Sequence, residues 1–135
     1  MDDDQDSKSQ KRRFVRIEVM LPVKYRSYTG HPVWDQNFSV GRSINLSSGG
    51  MILAVNTALA PEAKLDMELE LNDKTRLYLI GKVLGGEDMM VDGVSRRVEK
   101  ISFMDLDDET RDIIMKFIFN RQRADLRKGQ VEGKG

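Results

Sequence analysis

The sequence predicts a mainly β protein, a small six- to seven-stranded antiparallel Greek-key β-barrel with one C-terminal α-helix. Apolar and polar residues alternate with a period of two in several short segments, as in half-buried strands. Glycine, proline, asparagine and aspartate separate these segments, which indicates turns. Beyond residue 107 the apolar spacing becomes helical. Closure into a barrel is favoured because it removes strand edges that would otherwise aggregate.

The bulk composition is that of one small domain without a strong overall charge. The 135 residues suit a single core, which we expect within residues 11–127. An acidic tail at 1–10 and a second tail at 128–135 are predicted to be disordered, because they offer almost no apolar residues. With 22 basic and 22 acidic residues, no global field attracts nucleic acid, and we expect no nucleic-acid partner.

Targeting signals and cysteine chemistry are both missing from the sequence. No apolar run reaches the length of a membrane span and the first residues are acidic, so we expect no membrane insertion and a cytoplasmic location. The absence of cysteine removes disulfides and thiolate metal sites.

The first predicted strand runs from Ile17 to Tyr25, where apolar residues alternate with polar ones. Pro22 places this strand at a sheet edge or a bulge, because proline cannot donate to the ladder. Residues 28–36 are predicted to form a loop, since Gly30 and Pro32 interrupt regular pairing.

The remaining strands follow from the same alternation. Turns are predicted at residues 45–50, at 72–74 and at 85–88, where glycine, asparagine and aspartate accumulate. Between them, strands are predicted over residues 38–46, 51–55, 65–71, 77–83 and 98–103.

A helix is predicted from Asp107 to about residue 127. Three acidic residues in its first turn complement the positive end of the helix dipole, and basic residues near its end complement the negative one. The apolar residues at helical spacing are Ile113, Ile114, Phe117 and Ile118.

Two short segments carry the candidate binding chemistry. Arg12, Arg13 and Arg16 offer guanidinium groups that clamp phosphate oxygens and pair with the O6/N7 edge of guanine. The second segment, residues 45–50, offers an amide, hydroxyls and a Gly-Gly step that lets the backbone approach a ligand. Taken singly, the first is a solvated basic patch and the second a plain turn. The second segment adds the candidate residues Asn45, Ser47, Gly49 and Gly50.

Together, Arg12-x-x-x-Arg16 and Asn45-x-Ser47-x-x-Gly50 resemble the paired motifs of the PilZ domain family, over about residues 10–123. The resemblance implies cyclic di-GMP as the ligand and no other cofactor. It implies that Arg12 and Arg16 contact guanine and phosphate, that Asn45 reads a guanine edge, and that Ser47 supplies a hydroxyl. By the same resemblance Gly50 keeps the turn open, and Arg13 is an additional contact.

The resemblance further implies a non-enzymatic receptor that acts as an adaptor. Ligand binding would order the basic arm that precedes the first strand, and a separate, unidentified effector protein would respond in control of motility, exopolysaccharide or biofilm. The alternative is a PilZ-like interaction module without ligand, although such members usually lack the motif arginines. Monomer and homodimer both remain open, as does ligand stoichiometry.

Catalytic and metal sites are not indicated. The chain has one histidine, His31, and its acids fall mainly in tails, turns and the helix start, so neither a catalytic group nor a metal-ligand set is predicted. Trp34, in the same loop as His31, is predicted to be a packing anchor.

Overall fold

The structure is a computed structural model that describes residues 15–35 and 37–134, without the side chains of residues 127–134. Arg12, Arg13 and the predicted acidic tail therefore lie outside the described residues. Within them the chain forms seven strands and one helix. These are β1 Ile17–Glu18, β2 Pro22–Ser27, β3 Ser39–Leu46, β4 Gly50–Val55, β5 Lys64–Asn72, β6 Thr75–Val91, β7 Val94–Met104 and α1 Asp108–Lys134.

Six of the strands close into an antiparallel barrel, which confirms the predicted fold class. The order is β3-β2-β5-β6-β7-β4, and β4 pairs with β3 to complete the circle. The short β1 pairs with β3 as well, beyond the end of β2. Three of the pairings, β1 with β3, β2 with β5 and β4 with β7, join strands that are not consecutive in sequence.

The core lies inside the barrel and under the helix. Alternate residues of the strands point inward, as the period-two pattern predicts. From α1, Ile114 and Ile118 are buried against this cluster. Asp107 caps the helix, since its Oδ1 accepts the Thr110 backbone N–H at 2.7 Å. That backbone hydrogen bond, together with a side-chain one from Thr110, lowers the pKa of Asp107. The largest fully buried apolar side chains are Leu46, Leu53, Met67, Leu69, Leu79, Ile101 and Ile114.

The first predicted strand is broken into β1 and β2. The predicted edge or bulge at Pro22 is wrong, because β2 pairs with both β3 and β5 and shows no bulge there. Pro22 is instead the first residue of β2, a position that tolerates the missing N–H. Across the break the buried Ser43 hydroxyl donates to the Val19 carbonyl and accepts the Leu21 N–H. Two backbone hydrogen bonds span the same break, from the Val19 N–H to the Ile44 carbonyl at 3.2 Å and from the Ser43 N–H to the Leu21 carbonyl at 3.0 Å. The Ser43 side chain thus adds to the backbone contacts where the strand is interrupted.

The loop between β2 and β3 is fixed to the barrel by aromatic and ionic contacts. The guanidinium of Arg26 lies 4.5 Å from the centre of the Trp34 ring, whose edge-on neighbour is Phe38 at 6.0 Å. Trp34 is therefore the packing anchor that the sequence predicts. His31 is exposed, as expected of a loop residue.

The turn predicted at residues 85–88 is wrong. Strand β6 continues through it, and a bulge between Val83 and Gly85 absorbs the irregularity. Gly85 adopts a φ of 147°, which favours glycine. The hairpin turn lies instead at Asp92 and Gly93, both with positive φ, which is the Asp-Gly signal of a tight hairpin.

The helix is longer than predicted. Its backbone continues to Lys134, beyond the predicted end at about residue 127. Gly129 and Gly133 each reduce helix propensity by only about 1 kcal/mol relative to alanine, and no proline follows to break the hydrogen-bond ladder. No helix in the described residues has the length and hydropathy that spanning a bilayer requires.

Candidate functional site

The pairing of β1 with β3 brings the two candidate segments together. Ile17 pairs with Leu46 and Glu18 with Asn45 in antiparallel register. Arg16, one residue earlier, therefore lies beside the turn between β3 and β4. A depression of about 190 Å³ opens there on the outer face of the barrel.

Five of the seven predicted site residues line this depression, and the other two, Arg12 and Arg13, precede the described residues. The five are Arg16, Asn45, Ser47, Gly49 and Gly50. Six further residues complete the lining: Met51, Ile52, Leu84, Lys100, Ile101 and Ser102. The lining contains two exposed cations, Arg16 and Lys100, and no carboxylate. An acid-free surface with two cations favours an anionic ligand.

Asn45 is held by the backbone of the neighbouring strand. Its Oδ1 accepts the Ile52 N–H at 3.1 Å, at the point where the pairing of β3 with β4 shifts register. A carbonyl oxygen has two lone pairs, so this contact leaves one acceptor position. The side-chain amide of Asn45 is thus oriented before any ligand arrives.

The Ser47 side chain is buried in the turn and forms two hydrogen bonds with the turn backbone. Its Oγ accepts the Gly49 N–H at 3.2 Å and donates to the Gly50 carbonyl at 3.3 Å. The residue is 7% exposed. Its hydroxyl fixes the backbone that lines the depression, a role that the sequence alone did not suggest.

Gly50 is required by the sheet itself. A Cβ at this position would overlap the carbonyl oxygen of Ile101 on β7. The close approach of these two strands explains the glycine independently of any ligand, because every other residue type carries a Cβ.

Sequence reasoning did not identify Lys100 or Leu84. Lys100 pairs with Ile52 on one side and with Gly85 on the other, and Leu84 lies in the bulge of β6. These residues come from segments far apart in sequence, and only the register of β4, β6 and β7 places them beside Asn45. Neither residue belongs to a recognisable motif.

A second depression, of about 320 Å³, lies on the same face near the β6–β7 hairpin and is lined by Arg42 and Arg96. None of the predicted site residues contributes to it, so the smaller depression is the candidate site. No group of three or more histidine, cysteine, aspartate or glutamate side chains suited to a metal ion occurs in residues 15–35 and 37–134.

The chain belongs to the PilZ domain family, whose model matches residues 10–120. It is similar in structure to the PilZ domain of YcgR from Escherichia coli with c-di-GMP, with a TM-score of 0.69 and 18% identity over 90% of this chain and 98% of that one. No curated protein sequence matches the chain.

Two further solved structures share the fold. The complex of MrkH from K. pneumonia with c-di-GMP has a TM-score of 0.69 and 16% identity, over 86% of this chain and 54% of that one. A PilZ domain protein from Xanthomonas campestris, described as a tetramer self-assembled through a helical bundle, has a TM-score of 0.65 and 15% identity, over 84% of this chain and 91% of that one. The chain thus spans about half the length of MrkH.

Proposed function

We propose that this protein is a non-enzymatic receptor for cyclic di-GMP and that the ligand binds in the depression between β1 and the β3–β4 turn. The observation that carries the proposal is the convergence of Arg16, Asn45 and the Gly49–Gly50 backbone on one acid-free surface. Family membership adds support, as do the c-di-GMP-bound structures of YcgR and MrkH that share the fold.

Each side chain in the depression suits one part of such a ligand. The Arg16 guanidinium can form two parallel hydrogen bonds to a phosphate or to the O6/N7 edge of guanine. The amide of Asn45 can pair with the N1/N2 edge through its remaining acceptor position. Ser47 holds the turn so that the Gly49 and Gly50 backbone can lie against the ligand.

The signal would pass through the basic segment that precedes β1. In this proposal Arg12 and Arg13 close over the bound ligand while Arg16 anchors the segment to the barrel. The surface that results would be recognised by a separate effector protein, so the receptor acts as an adaptor. Amide exchange of residues 11–15 should slow when the ligand saturates the protein, and unchanged exchange would exclude this route.

Titration calorimetry with cyclic di-GMP tests the receptor assignment. Arg16→Ala should weaken binding about tenfold to a hundredfold, because hydrogen bonds to a charged group contribute about 1.5–3 kcal/mol each. Arg42→Ala is the matched control, since this exposed arginine lies on the same face of the barrel but outside the depression. GMP and cyclic AMP are the ligand controls.

The results separate the two functional classes. Saturable binding of cyclic di-GMP that is lost in Arg16→Ala and kept in Arg42→Ala supports the receptor. A folded protein that gives no heat with cyclic di-GMP would favour the alternative, a PilZ-like interaction module without ligand. Equal losses in both variants would mean that the site lies elsewhere on the face.

A further inference from the structure

The candidate depression adjoins another space on the outer face of the barrel, called the second compartment below, which is distinct from the depression near Arg42 and Arg96. This compartment has a volume of about 390 Å³. Ile52, Leu84 and Lys100 line both spaces. Ligand pockets usually measure about 300–1,000 Å³, and the first depression alone, at about 190 Å³, falls below that range. A ligand with two nucleobases and two phosphates would therefore extend past these three residues into the second compartment.

The bulge of β6 forms one side of the second compartment. Val83 pairs with Ile101, but the next pair joins Gly85 to Lys100, so Leu84 is left between two ladder positions. Its side chain is 47% exposed. No atom lies within 4 Å of the position that a Gly85 Cβ would occupy, so the backbone there is open. An exposed apolar side chain beside open backbone offers a flat surface for an aromatic ring.

Lys100 is the cation at the junction of the two spaces. It is exposed, and its cross-strand neighbours are the uncharged Ile52 and Gly85. None of the ion pairs formed among the described residues includes Lys100. The one acid that lines either space is Glu87, in the second compartment. A lysine ammonium is a compact point charge on a flexible stem, which suits a phosphate oxygen.

We infer that Lys100 binds a phosphate of cyclic di-GMP at the junction of the two compartments, and that Leu84 packs against a guanine base of the ligand. This inference rests on the proposed function and extends the site beyond the two sequence motifs. In this inference, β6 and β7 contact parts of the ligand that the arginine segment and the β3–β4 turn do not reach.

Calorimetric titration of cyclic di-GMP into Lys100→Met and Leu84→Ser tests the inference. Lys100→Met removes the charge but keeps the length of the side chain, and it should weaken binding about tenfold or more. It should also reduce the dependence of affinity on salt, because one fewer phosphate contact is made. Lys100→Arg should restore most of the affinity. Lys74→Met, in the β5–β6 turn, is the matched charge control.

Leu84→Ser should weaken binding without lowering the thermal stability of the free protein, because this side chain is already half exposed. Val33→Ser is its control, since Val33 is 78% exposed in the β2–β3 loop. If wild type binds cyclic di-GMP and Lys100→Met binds it equally tightly, the inference is overturned while the receptor assignment stands. A wild-type protein that does not bind cyclic di-GMP would overturn both.

Discussion

The Ser43 hydroxyl accepts the Leu21 backbone N–H at 2.9 Å across 22 positions of sequence. The same hydroxyl donates to the Val19 carbonyl, and the residue is fully buried. Together with backbone hydrogen bonds from Val19 to Ile44 and from Ser43 to Leu21, these two contacts hold the chain on β3 where β1 and β2 are interrupted. Because Arg16 directly precedes β1, these contacts also fix the position of Arg16 beside the candidate depression.

Ser43→Ala should therefore affect both stability and binding. Removing the hydroxyl leaves a buried N–H and a buried carbonyl without partners, which costs about 1–3 kcal/mol. We expect a lower urea midpoint and weaker binding of cyclic di-GMP, because β1, which follows Arg16 directly, is held less firmly. Ser95→Ala, at an exposed position of β7, is the control. Identical midpoints for the two variants would contradict the proposed role.

Gly50→Ala should destabilise the barrel itself. The added methyl group would overlap the Ile101 carbonyl oxygen, so β4 and β7 would have to separate. We expect a loss of free energy of unfolding at or above the upper end of the range of about 1–3 kcal/mol for overpacking. Ser102→Ala, the residue paired with Gly50 on β7, should change stability far less. A Gly50→Ala protein as stable as wild type, with only ligand binding lost, would show that the glycine serves the ligand alone.

Asp66 should make stability depend on acid pH. Burial would raise the pKa of this carboxyl, but hydrogen bonds from Thr29, Tyr78 and Arg26 outweigh it and lower the pKa from 3.8 to about 2. A carboxyl whose pKa is lower in the folded state stabilises the protein above pH 4. That contribution, about 2 kcal/mol, should be lost as the pH falls toward 2.

Urea unfolding at pH 7, 4 and 2 measures this contribution. Wild type should lose free energy of unfolding between pH 4 and pH 2, and Asp66→Asn should be less stable at pH 7 but lose less over that interval. Asp73→Asn, in the exposed β5–β6 turn, should keep the wild-type slope. Parallel pH profiles for wild type and Asp66→Asn would rule out the assigned role of Asp66.

Glu99 should hold the segment between β4 and β5. Its buried carboxylate accepts the Leu59 N–H at 2.8 Å and the Arg97 Nε–H at 3.0 Å. Glu99→Ala leaves the Leu59 N–H unpaired, whereas Arg97, whose side chain is 32% exposed, can be hydrated, so we expect a loss of about 1–3 kcal/mol. Thermal unfolding measures it, with the exposed Glu87→Ala as control. A Glu99→Ala melting temperature that equals that of Glu87→Ala would refute the prediction.

The fold could be predicted largely from alternation, and its one misplaced turn has a local cause. The Gly85-Gly86 pair is typical of a turn, but glycine also occurs at bulges and where two strands approach closely. Gly85 supplies positive φ, and a Cβ on Gly86 would overlap the Glu99 carboxylate. The true turn lies at Asp92 and Gly93, a dipeptide typical of tight hairpins.

The motif part of the site was accessible from the sequence, and the remainder was not. Asn45 and Gly50 belong to a compact pattern, whereas Lys100 and Leu84 join the site through the register of three strands. Asp66 shows the same limitation. Alternation places it on the polar face of β5, but Arg26 of β2 and Thr29 of the β2–β3 loop cover it, and no local pattern predicts these contacts.

Amide chemical-shift mapping with cyclic di-GMP tests the central claim most directly, since it reports where the ligand binds. If the ligand occupies the proposed depression, the resonances of Gly49, Gly50, Ile52 and Lys100 should shift on titration, while those of the β2–β3 loop should not. Shifts confined to the second depression near Arg42 and Arg96, or no shifts at saturating ligand, would contradict the account.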